Sequence, residues 1–177
     1  MTIDEFIRGI DRIIDNLPDI LQGEMETIAL DGKVFVQNRI QESGINDKGN
    51  PLKAYSDNKL PAFFFTDPDR PKRLSKEEAA NYPDGISYVD YRKAKGLPVD
   101  RVTLTVTGEM WRSIGIVEER EDDGTYIAFL GGRDQETINK IAWNYKDRPF
   151  MSLNDDELEI IRTASGSRVR SKFIELL

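Results

Sequence analysis

Ile3, Phe6, Ile7, Ile10, Ile14 and Leu17 recur at intervals of three and four residues. That spacing puts them on one face and commits the start of the chain to an amphipathic helix. Asp4, Arg8, Asp11, Arg12 and Asp15 fill the other face. Thr2, with Glu5 three positions on, has the pattern of a capping box. Pro18 cannot sit in a helix interior without losing a hydrogen bond. The helix is therefore expected to end or kink near Asn16, and a second to start with Pro18 in its first turn. Leu21, Ile28 and Phe35 then sit seven apart, with Met25 and Ile40 near the same stripe. Ser43-Gly44 closes this second helix, Gly44 supplying a left-handed cap. Two readings of these helices stand: core helices packed on a sheet, or a long helix that also contacts a neighbouring subunit.

The pattern changes further along. Residues 45–60 hold turn formers, and Asn50 precedes Pro51, so a loop is expected. Asp47 and Gly49 lack the spacing and closing Glu of a calcium loop. Phe63-Phe64-Phe65 is a short apolar run. The following Asp67-Pro68-Asp69-Arg70-Pro71 is expected to be irregular, and Ser75 to Glu78 to open a short helix. Tyr88, Tyr91, Arg92, Lys93 and Lys95 form a basic, aromatic stretch ending at Gly96. It is either a solvated helix face with tyrosines packed beneath or a surface that stacks on nucleic acid. Val102, Leu104 and Val106 alternate with Thr103, Thr105 and Thr107, the period of a strand buried on one side. A short helical turn through Trp111 follows, then a strand from Ile114. A hairpin turn is expected at Glu121-Asp122-Asp123-Gly124, with Gly124 left-handed, and a strand from Thr125 to Leu130 broken by Gly131-Gly132. Asp134 and Asn154 are placed to cap two C-terminal helices, with Gly166 leaving the end of the second open. The fold class is α+β: N-terminal helices on a small antiparallel sheet of three or four strands, with C-terminal helices. One domain is expected over 1–177, with an inserted loop or arm at about 56–90.

Composition removes whole classes of chemistry. The 177 residues contain no cysteine and no histidine. Disulfides, thiolate zinc sites, Ser-His-Asp and Cys-His catalysis and HExxH chemistry are thereby excluded. No apolar run approaches the roughly 20 residues that span a bilayer, so no membrane partner is expected. The net charge of −7 argues against a long phosphate-binding face. The densest acidic cluster, Glu118, Glu119, Glu121, Asp122 and Asp123, sits on the hairpin tip, where like charges are easily solvated. It is the candidate for a carboxylate–metal hydrolase, although a metal site draws ligands from several elements. Gly131-Gly132-Arg133 lacks the phosphate-loop frame. Thr107-Gly108-Glu109 and Arg148-Pro149-Phe150 read as turns that place Trp111 and Phe150 in a core.

Three segments in order carry a resemblance. Ser43 to Pro51 is similar to an "sGiDxxGxP" segment, and Leu104 to Ile114 to an "LTxTGxMxxSI" segment. Arg148 to Leu153 with Asp155-Asp156-Glu157 is similar to "RPFLxLSxxE" ahead of a C-terminal helix. Together they resemble the virion-morphogenesis family of tailed bacteriophages: tail-completion, neck and head–tail joining proteins. The resemblance covers most of the chain and is weakest at 56–90. It implies a non-enzymatic structural protein of the virion, made in the bacterial host cytoplasm and using no cofactor and no metal. The expected partners are copies of itself in a ring, a portal or connector, and tail terminator or tail tube proteins, with DNA at most passing through the lumen. Thr107, Gly108, Met110 and Trp111 are expected to form one structural corner. Arg148, Pro149 and Phe150 form a second near a subunit interface, and Phe63, Phe64 and Phe65 are further interface candidates. The alternative is a small nucleic-acid-binding module using Tyr88 to Lys95 and Arg168 to Lys172.

Overall fold

Thr2 and Glu5 do form the capping box: the Thr2 N–H donates to Glu5 Oε2 at 2.6 Å and the Glu5 N–H to Thr2 Oγ1 at 3.2 Å. The structure is a computed structural model describing residues 2–67, 72–123 and 125–177. The helix opened by that box, α1 (Ile3–Ser43), runs for 41 residues with Pro18 inside it. The break expected near Asn16 is therefore corrected. Pro18 and Ile14 are both exposed, so the turn in which the Ile14 carbonyl loses its N–H partner lies on the solvent side of the helix. The turns on either side carry the helix through. Gly44 ends it at φ 66°, its N–H donating to the Ile40 carbonyl at 3.0 Å.

The sheet of three or four strands resolves into two antiparallel pairs, and the α+β class stands. β1 (Lys59–Leu60) pairs with β2 (Ile86–Ser87), on either side of a 3₁₀ turn (Ala62–Phe65) and α2 (Lys76–Ala80). Next come α3 (Tyr88–Ala94) and α4 (Glu109–Ser113), then β3 (Ile114–Asp122) pairs with β4 (Thr125–Gly132). The register shifts between Ile116 and Glu118, leaving Val117 as a bulge on the exposed side. β4 runs through Gly131 and Gly132 rather than breaking there. Gly124, and Pro68 to Pro71 of the irregular stretch, lie outside the described residues.

The strand expected at Val102–Thr107 is absent. Val102 and Thr103 are both buried, so the alternation fails, and Leu104 adopts φ 50°. The backbone groups find side chains instead of a neighbouring strand. The Tyr55 hydroxyl accepts the N–H groups of Thr103 and Leu104 at 3.0 and 3.1 Å, and Arg92 Nη1 donates to the Thr105 carbonyl at 2.9 Å.

Asp134 caps α5 (Gln135–Asp147) through the Thr137 N–H at 2.7 Å. Asn154 and Glu157 cap α6 (Asp155–Leu176) reciprocally, and that helix continues through Gly166. The chain forms two compact units. The first comprises Met1–Val36, Ile114–Ile138 and Leu153–Leu177, and the second Gln37–Ser113 and Asn139–Ser152. No helix among the described residues is long and apolar enough to cross a membrane.

Candidate assembly surfaces

In the second unit the chain around Gly44, Trp111 and Arg148 to Phe150 is closely packed. Gly44 has room for no side chain: a Cβ there would lie 2.9 Å from Arg101 Cβ and 3.1 Å from Val102 N. The loop it opens folds back through the Leu52 N–H, which donates to the Gly44 carbonyl at 2.8 Å. Arg148 reaches the same loop, with Nε donating to the Lys53 carbonyl at 2.6 Å and Nη2 to the Ala54 carbonyl at 2.9 Å. Trp111 and Phe150 meet edge to face, their centroids 5.7 Å apart, and both are almost fully buried. Met110 is buried beside Trp111 in sequence, and Pro149 is exposed. Gly108 precedes α4 at φ 80°, where an L side chain is strained, and Arg112 Nη1 donates to the Thr107 carbonyl at 3.1 Å. The two corners are thus packed against each other through Trp111 and Phe150.

Sequence reasoning missed the centre of this arrangement. Arg92 is completely buried, and its guanidinium faces three acceptors: the carbonyls of Pro98 and Thr105 and the Thr103 hydroxyl, at 2.9, 2.9 and 3.0 Å. Its Cζ also lies 4.3 Å from the Tyr55 ring centroid, and Arg148 Cζ lies 5.5 Å from that ring. Two guanidiniums on one phenol ring, whose hydroxyl accepts two backbone N–H groups, tie four segments together. Nothing local in the sequence distinguishes Arg92 from its solvated neighbours. Burial holds the Tyr88 hydroxyl above its ordinary pKa, an effect the nearby Arg92 charge partly offsets.

The basic, aromatic stretch is therefore largely engaged internally. Tyr91 is buried and its hydroxyl donates to the Lys72 carbonyl at 2.8 Å. Lys95 pairs with Glu78 at 2.6 Å, Lys93 lies 3.6 Å from Asp90, and Arg168 bridges Glu24 and Asp31 at 2.6 and 3.2 Å.

The three phenylalanines separate. Phe65 packs with Leu74, Ile86 and Tyr91 in a small core, so it is not available to a partner. Phe63 and Phe64 stack on each other at 4.4 Å and remain 65% and 57% exposed. Within 56–90, Phe65, Leu74 and Ile86 thus pack with Tyr91 just beyond it, while Phe63 and Phe64 face outward.

In the first unit, β3 and β4 lie along α1. Lys33 Nζ donates to the Ile114 carbonyl at 2.6 Å, and burial, then the Arg133 charge, lowers its pKa. Arg133 lies flat against Gly115, in space that any side chain there would fill. A cleft of about 180 Å³ is lined by Gln22, Glu26, Glu119, Glu121 and Tyr126 among others. Among the described residues no group of three or more acidic side chains is placed to hold a metal ion. Comparison with protein-family models, curated proteins and solved structures finds no match.

Proposed function

We propose that this chain is a structural subunit of a tailed-phage neck or tail, a tail-completion or head–tail joining protein that forms a ring between portal and tail. It acts by shape, with no catalytic residue and no cofactor. Its partners are copies of itself and the portal, connector, tail terminator or tail tube proteins, and it resides in the virion. The observation that carries this reading is the first unit's surface. Fourteen large apolar side chains are exposed there among the described residues, from Ile3 on α1 to Leu177, against four that are buried. Single exposed apolar residues need no explanation, but a concentration on regular elements marks surfaces that other molecules cover. A ring requires two different, complementary patches on each subunit. The aromatic pair Phe63–Phe64 in the second unit supplies a patch distinct from those of the first. The charge of −7 suits a ring whose lumen repels DNA enough for it to slide. The nucleic-acid alternative is weakened because Arg92, Lys95 and Arg168 are committed to internal partners. The test is to purify tailed particles made with an epitope-tagged copy and image the tag. A label at the head–tail junction or tail is expected, and a chain absent from particles contradicts the proposal.

A further inference from the structure

Because α1 does not break at Pro18, its apolar positions join into one seam. Residues 3, 7, 10, 14, 17 and 21 alternate steps of four and three, the 3.5-residue repeat of a helix that packs lengthwise on other helices. Continued, the repeat reaches Glu24 and Asp31, and there the chain covers its own seam: both carboxylates bind Arg168 of α6. Toward the start of α1 this cover moves away. Leu177 packs at Gly9, where a Cβ would lie 3.0 Å from its Cα, and its carbonyl lies 3.5 Å from Arg12 Nη2. At 3.6 residues per turn, Gly9 and Arg12 point well away from the seam. Ile3, Phe6, Ile7, Ile10 and Ile14 are left 79%, 44%, 51%, 37% and 61% exposed.

We propose that this face is covered by the same segment of neighbouring copies of the chain, packed parallel and in register. The inference rests on the self-assembly in the reading above and names the surface that performs it. The area fits. On a scale of about 200 Å² per fully exposed large side chain, the five residues present roughly 500 Å² of apolar surface. A stable contact buries about 800 Å² per partner, the balance coming from flanking polar atoms. Charge sets the direction. Asp4 and Asp11 follow the seam positions Ile3 and Ile10, while Phe6 and Ile13 precede Ile7 and Ile14. Antiparallel pairing would set aspartates against aspartates; parallel, in-register pairing sets Asp11 beside Phe6 of a neighbouring copy and Ile13 beside Pro18. Isoleucine at both seam positions favours more than two strands, in keeping with a closed cyclic assembly. The polar side of residues 3–15 carries four acids against two arginines, which suits an anionic lipid surface poorly.

Since the chain has no cysteine, single-cysteine variants report the contact cleanly. Under mild oxidation of the full chain, Ile3→Cys and Ile14→Cys are each expected to cross-link to their own kind. No cross-linking, or cross-linking only when the two variants are mixed, overturns the parallel pairing. Ile7→Asp with Ile14→Asp should weaken self-association by about 100-fold in light scattering, with the helical circular dichroism kept. An unchanged association overturns the inference, as does a monomeric wild type that binds phosphatidylglycerol vesicles through this face. If association fails while the chain is still found in tailed particles, this contact falls and the neck reading stands. If association holds and the chain is absent from particles, the reverse is true.

Discussion

The two units of this molecule distribute their apolar residues in opposite ways. The second holds ten of the fourteen buried hydrophobic side chains among the described residues, including Trp111, Phe150, Tyr91 and Ile40. It exposes five large ones: Leu60, Phe63, Phe64, Trp143 and Tyr145. The first buries only Ile20, Val36, Ile114 and Ile161 and exposes fourteen. One unit is built around its own interior, with Arg92 and Tyr55 at the centre. The other presents its helices and hairpin outward. Substitutions in the second should therefore reduce stability, and substitutions on the first should alter association while leaving the fold intact.

The sharpest contrast comes from the aromatic corner. Trp111→Ala or Phe150→Ala should each cost about 3–5 kcal/mol in urea denaturation, the range for large-to-small changes in a packed core. If instead either proves nearly neutral, the second unit is not organised around this pair. Arg92→Lys comes next, at about 2–3 kcal/mol. An ammonium cannot offer the planar fork that now faces three acceptors, nor stack on Tyr55 as a guanidinium does. Gly44→Ala should cost about 1–3 kcal/mol, because it combines a left-handed backbone with contact against Arg101. On the outward surfaces the expected stability change falls to within about 0.5 kcal/mol. Phe63→Ser with Phe64→Ser should leave the denaturation midpoint in place but reduce incorporation into particles. A large loss of stability there would mean that the pair is core rather than contact. The smallest effect concerns pH. Burial raises the Tyr88 hydroxyl pKa in the folded chain, so its contribution is full below the unfolded value near 10 and is lost as pH rises through the folded value. Stability followed into the alkaline range should fall less steeply in Tyr88→Phe.

What could be read from the sequence was local chemistry. Thr2 with Glu5, Ser75, Asp134 and Asn154 with Glu157 all cap helices through contacts within three residues. Gly44 and Gly96 both take a left-handed backbone at a helix end. The hairpin of β3 and β4 was equally legible, because the turn formers from Glu121 and the β-branched and aromatic residues from Thr125 lie close together. Two errors differ in origin. Pro18 forbids one hydrogen bond, but the turns on either side keep theirs and carry the helix on. Val102 to Thr107 has the alternation of a strand, but Tyr55 and Arg92, 48 and 11 residues from Thr103, supply the partners that a strand would need. The surface proposed for assembly was half visible: the stripe from Ile3 to Leu17 stood out at once, whereas its exposure depended on where α6 lies. Tyr55 carried no mark at all.

The central claim is that this protein is a repeated building block, and the mass of the purified full chain across concentration tests it most directly. Light scattering should show a species of several chains, each of 20.2 kDa. Ile7→Asp with Ile14→Asp should reduce it, and Trp111→Ala should act only through unfolding. A single-chain mass at every concentration, unaffected by the α1 substitutions, would contradict the account.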